Sequence, residues 1–360
     1  MHIQKLSLNN WPSYVSANLF SQNDGFYVIP YFSNSGELMK ESIVELNPAE
    51  HDPNEQSVSC NNDVLCASLL YNEVMKGLWI FATEIEVKQN IICKTVYDET
   101  SPSDYYFLSF AVLKYRYPTD TINQSFVTLS SITNTFYKPK TKITNYFYEG
   151  SKGIFVNIAF TKEWVLENLH FSDMVQSKLD VFFAQRQGLI NWMEVLPDTV
   201  SLVKDIYKLL DQGRSNKSMT GSMYPLLCKT ISEFFNVAMK DSRIDNHSNF
   251  SENDYYKLAK AEQIIVSNLN KPFVGVNHIA DLVKMSATKL KATFKVVYGY
   301  SMLQYHKEKN MRLACQILQT GEVQIKYITG LVGFSSVSKF SAAFKKRFGM
   351  LPSSVKKHIK

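Results

Sequence analysis

The sequence predicts an α+β chain. A β-rich N-terminal domain with appended helices is followed by an all-α C-terminal domain. Three observations carry this. Apolar residues alternate with period two in short runs before residue 160, and recur at helical spacing after about residue 198. A polar stretch, Asp241–Asn253, has only Ile244 and Phe250 as apolar residues and reads as a domain boundary. A fourteen-residue segment occurs twice in the last third of the chain. The 360 residues suffice for two domains at about 150 residues each. The expected division is 1–245, β-rich over 1–160 and helical over 161–240, and then 254–360.

Composition bounds the class. Hydrophobic residues make up 45% and charged residues 20%, which describes a globular chain able to bury cores and excludes a disordered or collagen-like one. No run of about 18 uncharged apolar residues occurs, so neither a membrane-spanning helix nor a membrane partner is expected. The opening residues carry no continuous apolar segment after Lys5, so no secretion signal is expected. Cys60, Cys66, Cys93, Cys228 and Cys315 are few, scattered and odd in number. That usage fits free thiols in a reducing compartment, and the expected location is cytoplasmic.

In the N-terminal part, Ile154, Val156, Ile158 and Phe160 alternate with Phe155, Asn157 and Ala159 as in a half-buried strand. The Gly-containing turn 149–153 separates this run from Ile143–Tyr148, so the two are predicted to form a hairpin. Tyr105–Lys114 and Ser125–Leu129 are further strands. Asp198 is placed to cap a helix carrying Leu202, Val203, Ile206, Leu209 and Leu210. A second helix, from about Pro225, aligns Leu227, Ile231, Phe234, Phe235 and Ala238. Such stripes pack on their own domain or against a second copy of the chain. Trp79, Phe81, Tyr105 and Phe107 read as core aromatics, although they would also suit a pocket wall.

Charge is unevenly distributed. Residues 254–360 hold 18 Lys+Arg against 5 Asp+Glu, a net +13, whereas the preceding residues are net −7. A basic C-terminal third on an acidic body suits a polyanion partner; a solvated lysine-rich surface would show the same balance.

The repeat narrows that choice. Residues 286–299 and 336–349 are identical at six of fourteen positions at an offset of fifty. Ile279, Leu282 and Val283 precede the first copy as Ile328, Leu331 and Val332 precede the second. Each copy reads as helix, tight turn, helix. Ser286 and Ser336 are N-caps, Leu290, Phe294 and Val297 or Phe340, Phe344 and Phe348 are the buried rows, and Gly299 and Gly349 end the helices. Between the copies, Ser301–Thr320 carries Leu303, Met311, Ala314, Cys315 and Leu318 on a partly buried face. As a helix it spans roughly 30 Å, close to one turn of B-DNA at about 34 Å. A rigid connector of that length could hold two helices in successive major grooves, so the predicted polyanion is double-stranded DNA.

The motifs Arg312-Leu313-Ala314-x-x-Ile317-Leu318, Ile325-x-x-Ile328, Gly333-Phe334, Phe340, Phe344-Lys345, Phe348-Gly349 and Pro352-Ser353 resemble the C-terminal signature of AraC-type (AraC/XylS) transcription regulators. Ala280, Met285-Ser286, Leu290, Phe294-Lys295 and Gly299 match its first half. The resemblance covers about residues 254–358. It implies seven helices, near 254–268, 276–283, 286–297, 301–319, 323–332, 336–347 and 353–358, with two helix-turn-helix motifs that bind asymmetric DNA sites. It also implies that the N-terminal part is a cupin-like domain that senses a small-molecule effector, forms a homodimer, or does both. A contact with RNA polymerase is a further implied partner.

The exposed positions of the two recognition helices are Ala287, Thr288, Lys289, Lys291 and Ala292, and Val337, Ser338, Lys339, Ser341 and Ala342. Within these, Thr288, Lys289, Lys291, Ala292, Ser338, Lys339, Ser341 and Ala342 are the base-reading candidates. Lysine can read guanine O6/N7, hydroxyls are versatile, and methyl groups can meet thymine. The resemblance implies Arg in many relatives where Ala292 and Ala342 stand, so that backbone and DNA-shape terms carry more of the recognition here. Lys295, Lys345, Lys346 and Arg347 are phosphate candidates. Thr329 stands where relatives carry a small Ala, and its hydroxyl can bond back to a helix carbonyl.

No enzyme is read from the sequence. The seven histidines are isolated, without the spacing of a metal centre, and no phosphate-binding Gly-Lys-Ser/Thr loop occurs. No catalytic residue, metal or cofactor is therefore expected, and His51-Asp52-Pro53 reads as a polar loop. Two alternatives remain for the N-terminal part: an assembly module without ligand, and a cysteine-based DNA-repair methyl acceptor, which would need a zinc-bound cluster built around Cys60, Cys66 and Cys93.

Overall fold

The structure, a computed structural model, describes residues 6–120, 125–184, 188–193, 195–196, 198–213, 219–241, 250–269 and 271–355. Most of the predicted boundary stretch, residues 242–249, lies outside them. In chain order the elements begin with α1 (Trp11–Asn18), β1 (Gln22–Asn23), β2 (Phe26–Phe32), α2 (Gly36–Val44), β3 (Glu50–Asp52), β4 (Ser57–Asn61), β5 (Leu65–Met75) and β6 (Leu78–Val87). They continue with β7 (Ile91–Val96), β8 (Tyr105–Asp120), β9 (Ser125–Tyr137), β10 (Thr144–Phe147), β11 (Lys152–Thr161), α3 (Lys162–Asn168), α4 (Asp173–Ala184), β12 (Leu189–Trp192), α5 (Thr199–Gly213) and α6 (Met219–Ala238). Seven helices follow: α7 (Glu252–Val266), α8 (Val276–Val283), α9 (Ala287–Tyr298), α10 (Met302–Thr320), α11 (Ile325–Leu331), α12 (Val337–Phe348) and α13 (Pro352–Val355). The chain divides into one unit of residues 1–113 and 131–256, and another of residues 114–130 and 257–360.

The first unit is built on two sheets. A four-stranded sheet has the order β1-β2-β7-β10, and an eight-stranded sheet the order β12-β9-β8-β11-β6-β5-β4-β3. The alternation read in the sequence places Val156, Ile158 and Phe160 of β11 opposite Ala82, Ile80 and Leu78 of β6, and all six side chains are buried. Helices cover this face. Val175, Leu179, Phe182 and Phe183 of α4, Val203, Ile206 and Leu210 of α5, and Leu227, Ile231, Phe234 and Phe235 of α6 complete one core. The apolar stripes of α5 and α6 thus pack inside their own unit. Asp198 caps α5 as predicted, its carboxylate accepting from the Ser201 N–H at 3.4 Å.

Two local readings are corrected. The 143–160 segment is not a hairpin: β10 pairs with β7 in the small sheet, whereas β11 pairs with β6 in the large one. The turn between them therefore crosses from sheet to sheet. Gly153, near the start of β11, is required by a close backbone approach, since a Cβ there would lie 2.1 Å from the Val112 carbonyl oxygen. The second helix does not start near Pro225; α6 begins at Met219 and carries the proline in its interior. Trp79, Phe81 and Phe107 are buried, and Phe107 stacks on Tyr137 at 4.9 Å.

The second unit holds two cores strung on α10. Around its N-terminal half, Met302 and Tyr305 are buried, as are Leu258, Ala261 and Ile265 of α7, Ile279 and Val283 of α8, and Leu290, Phe294 and Tyr298 of α9. Phe294, Tyr298 and Tyr305 form a ring cluster with centroids 4.4–5.4 Å apart. The C-terminal half of α10 supplies Met311, Leu313, Ala314, Ile317 and Leu318 to a core with Ile328 of α11 and Phe340 and Phe344 of α12. The pair α11–α12 belongs to this core, and the ring cluster ties α9 of the other pair to α10. The last predicted helix is seen as Pro352–Val355, and residues 356–358 lie outside the described ones.

Candidate DNA-binding surface

The surface starts from the two capping serines. Ser286 Oγ accepts from the Lys289 N–H at 3.4 Å, and Ser336 Oγ accepts from the Lys339 N–H at 3.2 Å. Each cap satisfies one of the amide groups left open at a helix start and fixes where the helix begins. Gly299 and Gly349 end α9 and α12 in the left-handed region, at φ 77° and 75°. The turns ahead differ in chemistry. Gly333 takes φ 78° in the second, whereas in the first a lysine, Lys284, sits at φ 53°.

Between cap and stop the helices present matching faces. In α9, Leu290, Phe294 and Val297 are buried while Thr288, Lys289, Lys291, Ala292 and Lys295 are exposed, with Ala287 half-buried. In α12, Phe340 and Phe344 are buried while Val337, Ser338, Lys339, Ala342, Lys345 and Lys346 are exposed, with Ser341 half-buried. The helical period sets this division: residues three and four apart share a side, so the buried aromatic row forces the polar row outward. Thr329 is buried and bonds back to the Ile325 carbonyl at 2.8 Å, which satisfies its hydroxyl within α11.

One arrangement has no counterpart in the sequence reading. Glu308 on α10 accepts from Arg312 Nε at 2.8 Å and from Arg347 Nη2 at 2.6 Å. Arg347 Nε adds bonds of 3.0 and 2.8 Å to its two oxygens. Arg347, a phosphate candidate from sequence, is thus the residue that ties the end of α12 to the connector helix. Arg312 lies four residues after Glu308 on one helix, a spacing visible in the sequence. The approach of Arg347, thirty-nine residues away, is a product of the fold.

Burial pushes the Glu308 carboxyl up, but Arg347 and Arg312 outweigh it and hold the group below the usual glutamate value. A folded value lower than the unfolded one, about 4.3, means that this stabilisation is present above that value and is lost as pH falls through the folded value. Glu308→Gln is expected to destabilise the second unit by about 1–3 kcal/mol at neutral pH. The gap from the wild type should shrink at acid pH. Urea unfolding at pH 7 and 3.5 checks this, and a gap independent of pH would contradict it.

Elsewhere, burial pushes the Cys93 thiol up to about 12, so it is protonated at neutral pH and a poor nucleophile. Among the described residues, no group of three or more His, Cys, Asp or Glu is gathered to hold a metal ion. No described helix is long and apolar enough to cross a membrane.

Comparison with known proteins agrees with the geometry. A helix-turn-helix domain family matches residues 279–358. The chain is 34% identical over 96 residues to the HTH-type transcriptional regulator AlkR of Acinetobacter baylyi, covering 27% of this chain and 31% of that protein. It is 31% identical over 141 residues to the Msm operon regulatory protein of Streptococcus mutans, covering 39% and 48%. A solved AraC-type transcriptional regulator from Chromobacterium violaceum is 27% identical with a TM-score of 0.28, covering 30% of this chain and 96% of that one. The match thus spans less than half the length of those two curated relatives. Residues 279–358 are a helix-turn-helix domain, similar to those of transcription regulators such as a putative AraC-like regulator of Streptomyces lividans.

Proposed function

We propose that the chain is a cytoplasmic transcription regulator that binds double-stranded DNA by placing α9 and α12 in successive major grooves. One observation carries the reading: two capped helices with equivalent exposed rows are mounted on the two halves of a single 19-residue helix. At 1.5 Å per residue that connector is about 28 Å long, within reach of one turn of B-DNA. Thr288, Lys289, Lys291 and Ala292 face bases in one groove, and Ser338, Lys339, Ser341 and Ala342 do so in the next. Lys295, Lys345 and Lys346 contact phosphates and supply the salt-dependent part of affinity. Arg347 acts through Glu308 as a positioning residue that holds α12 on the connector. The absence of an Arg at Ala292 and Ala342 shifts weight from bidentate guanine contacts to phosphate and shape terms.

The first unit supplies effector sensing, homodimerisation or both, and biases how the helices sit on DNA by shifting populations between states. RNA polymerase is the partner through which bound DNA would be read out. Selection of bound fragments from random duplexes by the full chain tests the function: enrichment of a duplex sequence supports it, and its absence after repeated rounds refutes it. Thermal-shift screening of the full chain against small molecules then separates sensing from assembly, because a ligand bound to the folded state raises the unfolding temperature.

A further inference from the structure

Strands β8 and β9 are divided between the two units, residues 114–130 folding with the second. At that end Leu129 is 1% exposed and lies in the core of Met311, Ala314, Ile317, Ile328 and Phe344, with Tyr115 packed against the same cluster. The next residue is gripped by one side chain. The Ser130 N–H donates to Gln316 Oε1 at 2.8 Å, and the Ser130 carbonyl accepts from Gln316 Nε2 at 2.6 Å. An amide side chain that meets both backbone groups of one residue reproduces the pairing a neighbouring strand would make. The grip reads extended backbone and is independent of the side chain it holds.

We infer that residues 128–130 are a strap that completes the core of the second helix-turn-helix pair, so that its docking on α10 selectively sets the competence of α12. The inference rests on the DNA-binding reading. Leu129 belongs to the core beneath α12, whereas beneath α9 Phe294 and Tyr298 pack on Tyr305 and the Tyr298 hydroxyl donates to the Leu258 carbonyl. Undocking would leave a leucine-sized void in the former and nothing missing from the latter. β8 and β9 also lie inside the large sheet, between β11 and β12. A change in strand pairing there, caused by ligand or assembly, reaches the strap through the chain itself. The device therefore biases one recognition helix, not both, and turns two-groove binding on or off without touching the first groove.

The test uses Gln316→Ala, Leu129→Ala and Gln316→Glu in the full chain. The last keeps an acceptor for the Ser130 N–H and loses the donor to its carbonyl. Amide hydrogen exchange and fluorescence anisotropy are read on an enriched duplex and on versions with either half-site scrambled. Gln316→Ala and Leu129→Ala are expected to speed exchange in residues 337–348 and leave 287–298 unchanged. They should weaken binding roughly 2- to 30-fold, with no further weakening when the second half-site is already scrambled. Gln316→Glu should fall between. If Leu129→Ala does not fold, the two Gln316 variants carry the test alone. Unchanged exchange at 337–348, equal weakening on both half-sites, or tighter binding would overturn the inference. A wild-type chain that binds no duplex would instead refute the DNA-binding reading, while exchange still tests the strap.

Discussion

Phe344→Ala is expected to cost the second unit about 3–5 kcal/mol. The ring is fully buried, with centroids 5.6 Å from Phe340 and 4.6 Å from Phe348. It faces the C-terminal half of α10 and Ile328 of α11. Removing it opens a cavity where α10, α11 and α12 meet, and close-packed interiors collapse into such voids only in part. Domains of this size are stable by about 5–15 kcal/mol, so most of the margin is removed. All four tryptophans (Trp11, Trp79, Trp164 and Trp192) lie in the first unit, so their fluorescence reports that unit. Far-UV circular dichroism also reports the helices of the second. In urea the dichroism transition should move to lower concentration while the fluorescence transition stays in place. Lys345→Ala, the exposed neighbour, should change stability by no more than about 0.5 kcal/mol. A neutral Phe344→Ala would mean that the aromatic row is not the support of the recognition helix.

Lys291→Ala is expected to weaken binding to an enriched site by about 1–3 kcal/mol and to relax the preference at one base pair. Lys291 is exposed on α9, on the turn after the Ser286 cap, where recognition helices reach base edges. A combined Lys345→Ala, Lys346→Ala variant should behave differently. It should bind all sequences more weakly and lower the slope of log affinity against log salt by about one for each phosphate no longer neutralised. Anisotropy titrations on enriched and random duplexes at several salt concentrations separate the two outcomes. Equal weakening on both kinds of DNA would remove the base-reading role from Lys291.

The helical part of the fold was legible because its determinants are local. Ser286, Ser336, Gly299 and Gly349 mark ends that any helix must satisfy, and the repeat of Phe294 as Phe344 marks the side each helix buries. The exposed rows follow from that side alone. Long-range features were not legible. The period-two pattern of 154–160 identified a strand but could not say that its partner is β6, because alternation records a buried face and not a neighbour. Arg347 reads as one more cation in Lys345-Lys346-Arg347, and only the fold brings it to Glu308. Residues 114–130 carry no mark in the sequence that assigns them to the helical unit. The Gln316–Ser130 grip is of the same kind, since backbone recognition by an amide leaves no trace in the residue recognised.

The central claim is that one duplicated segment serves as a pair of groove-reading helices. Hydroxyl-radical footprinting of the full chain on an enriched duplex tests it most directly. The account predicts two protected patches on one face of the DNA, about 10–10.5 base pairs apart centre to centre. A single patch, or two patches on opposite faces, would contradict it.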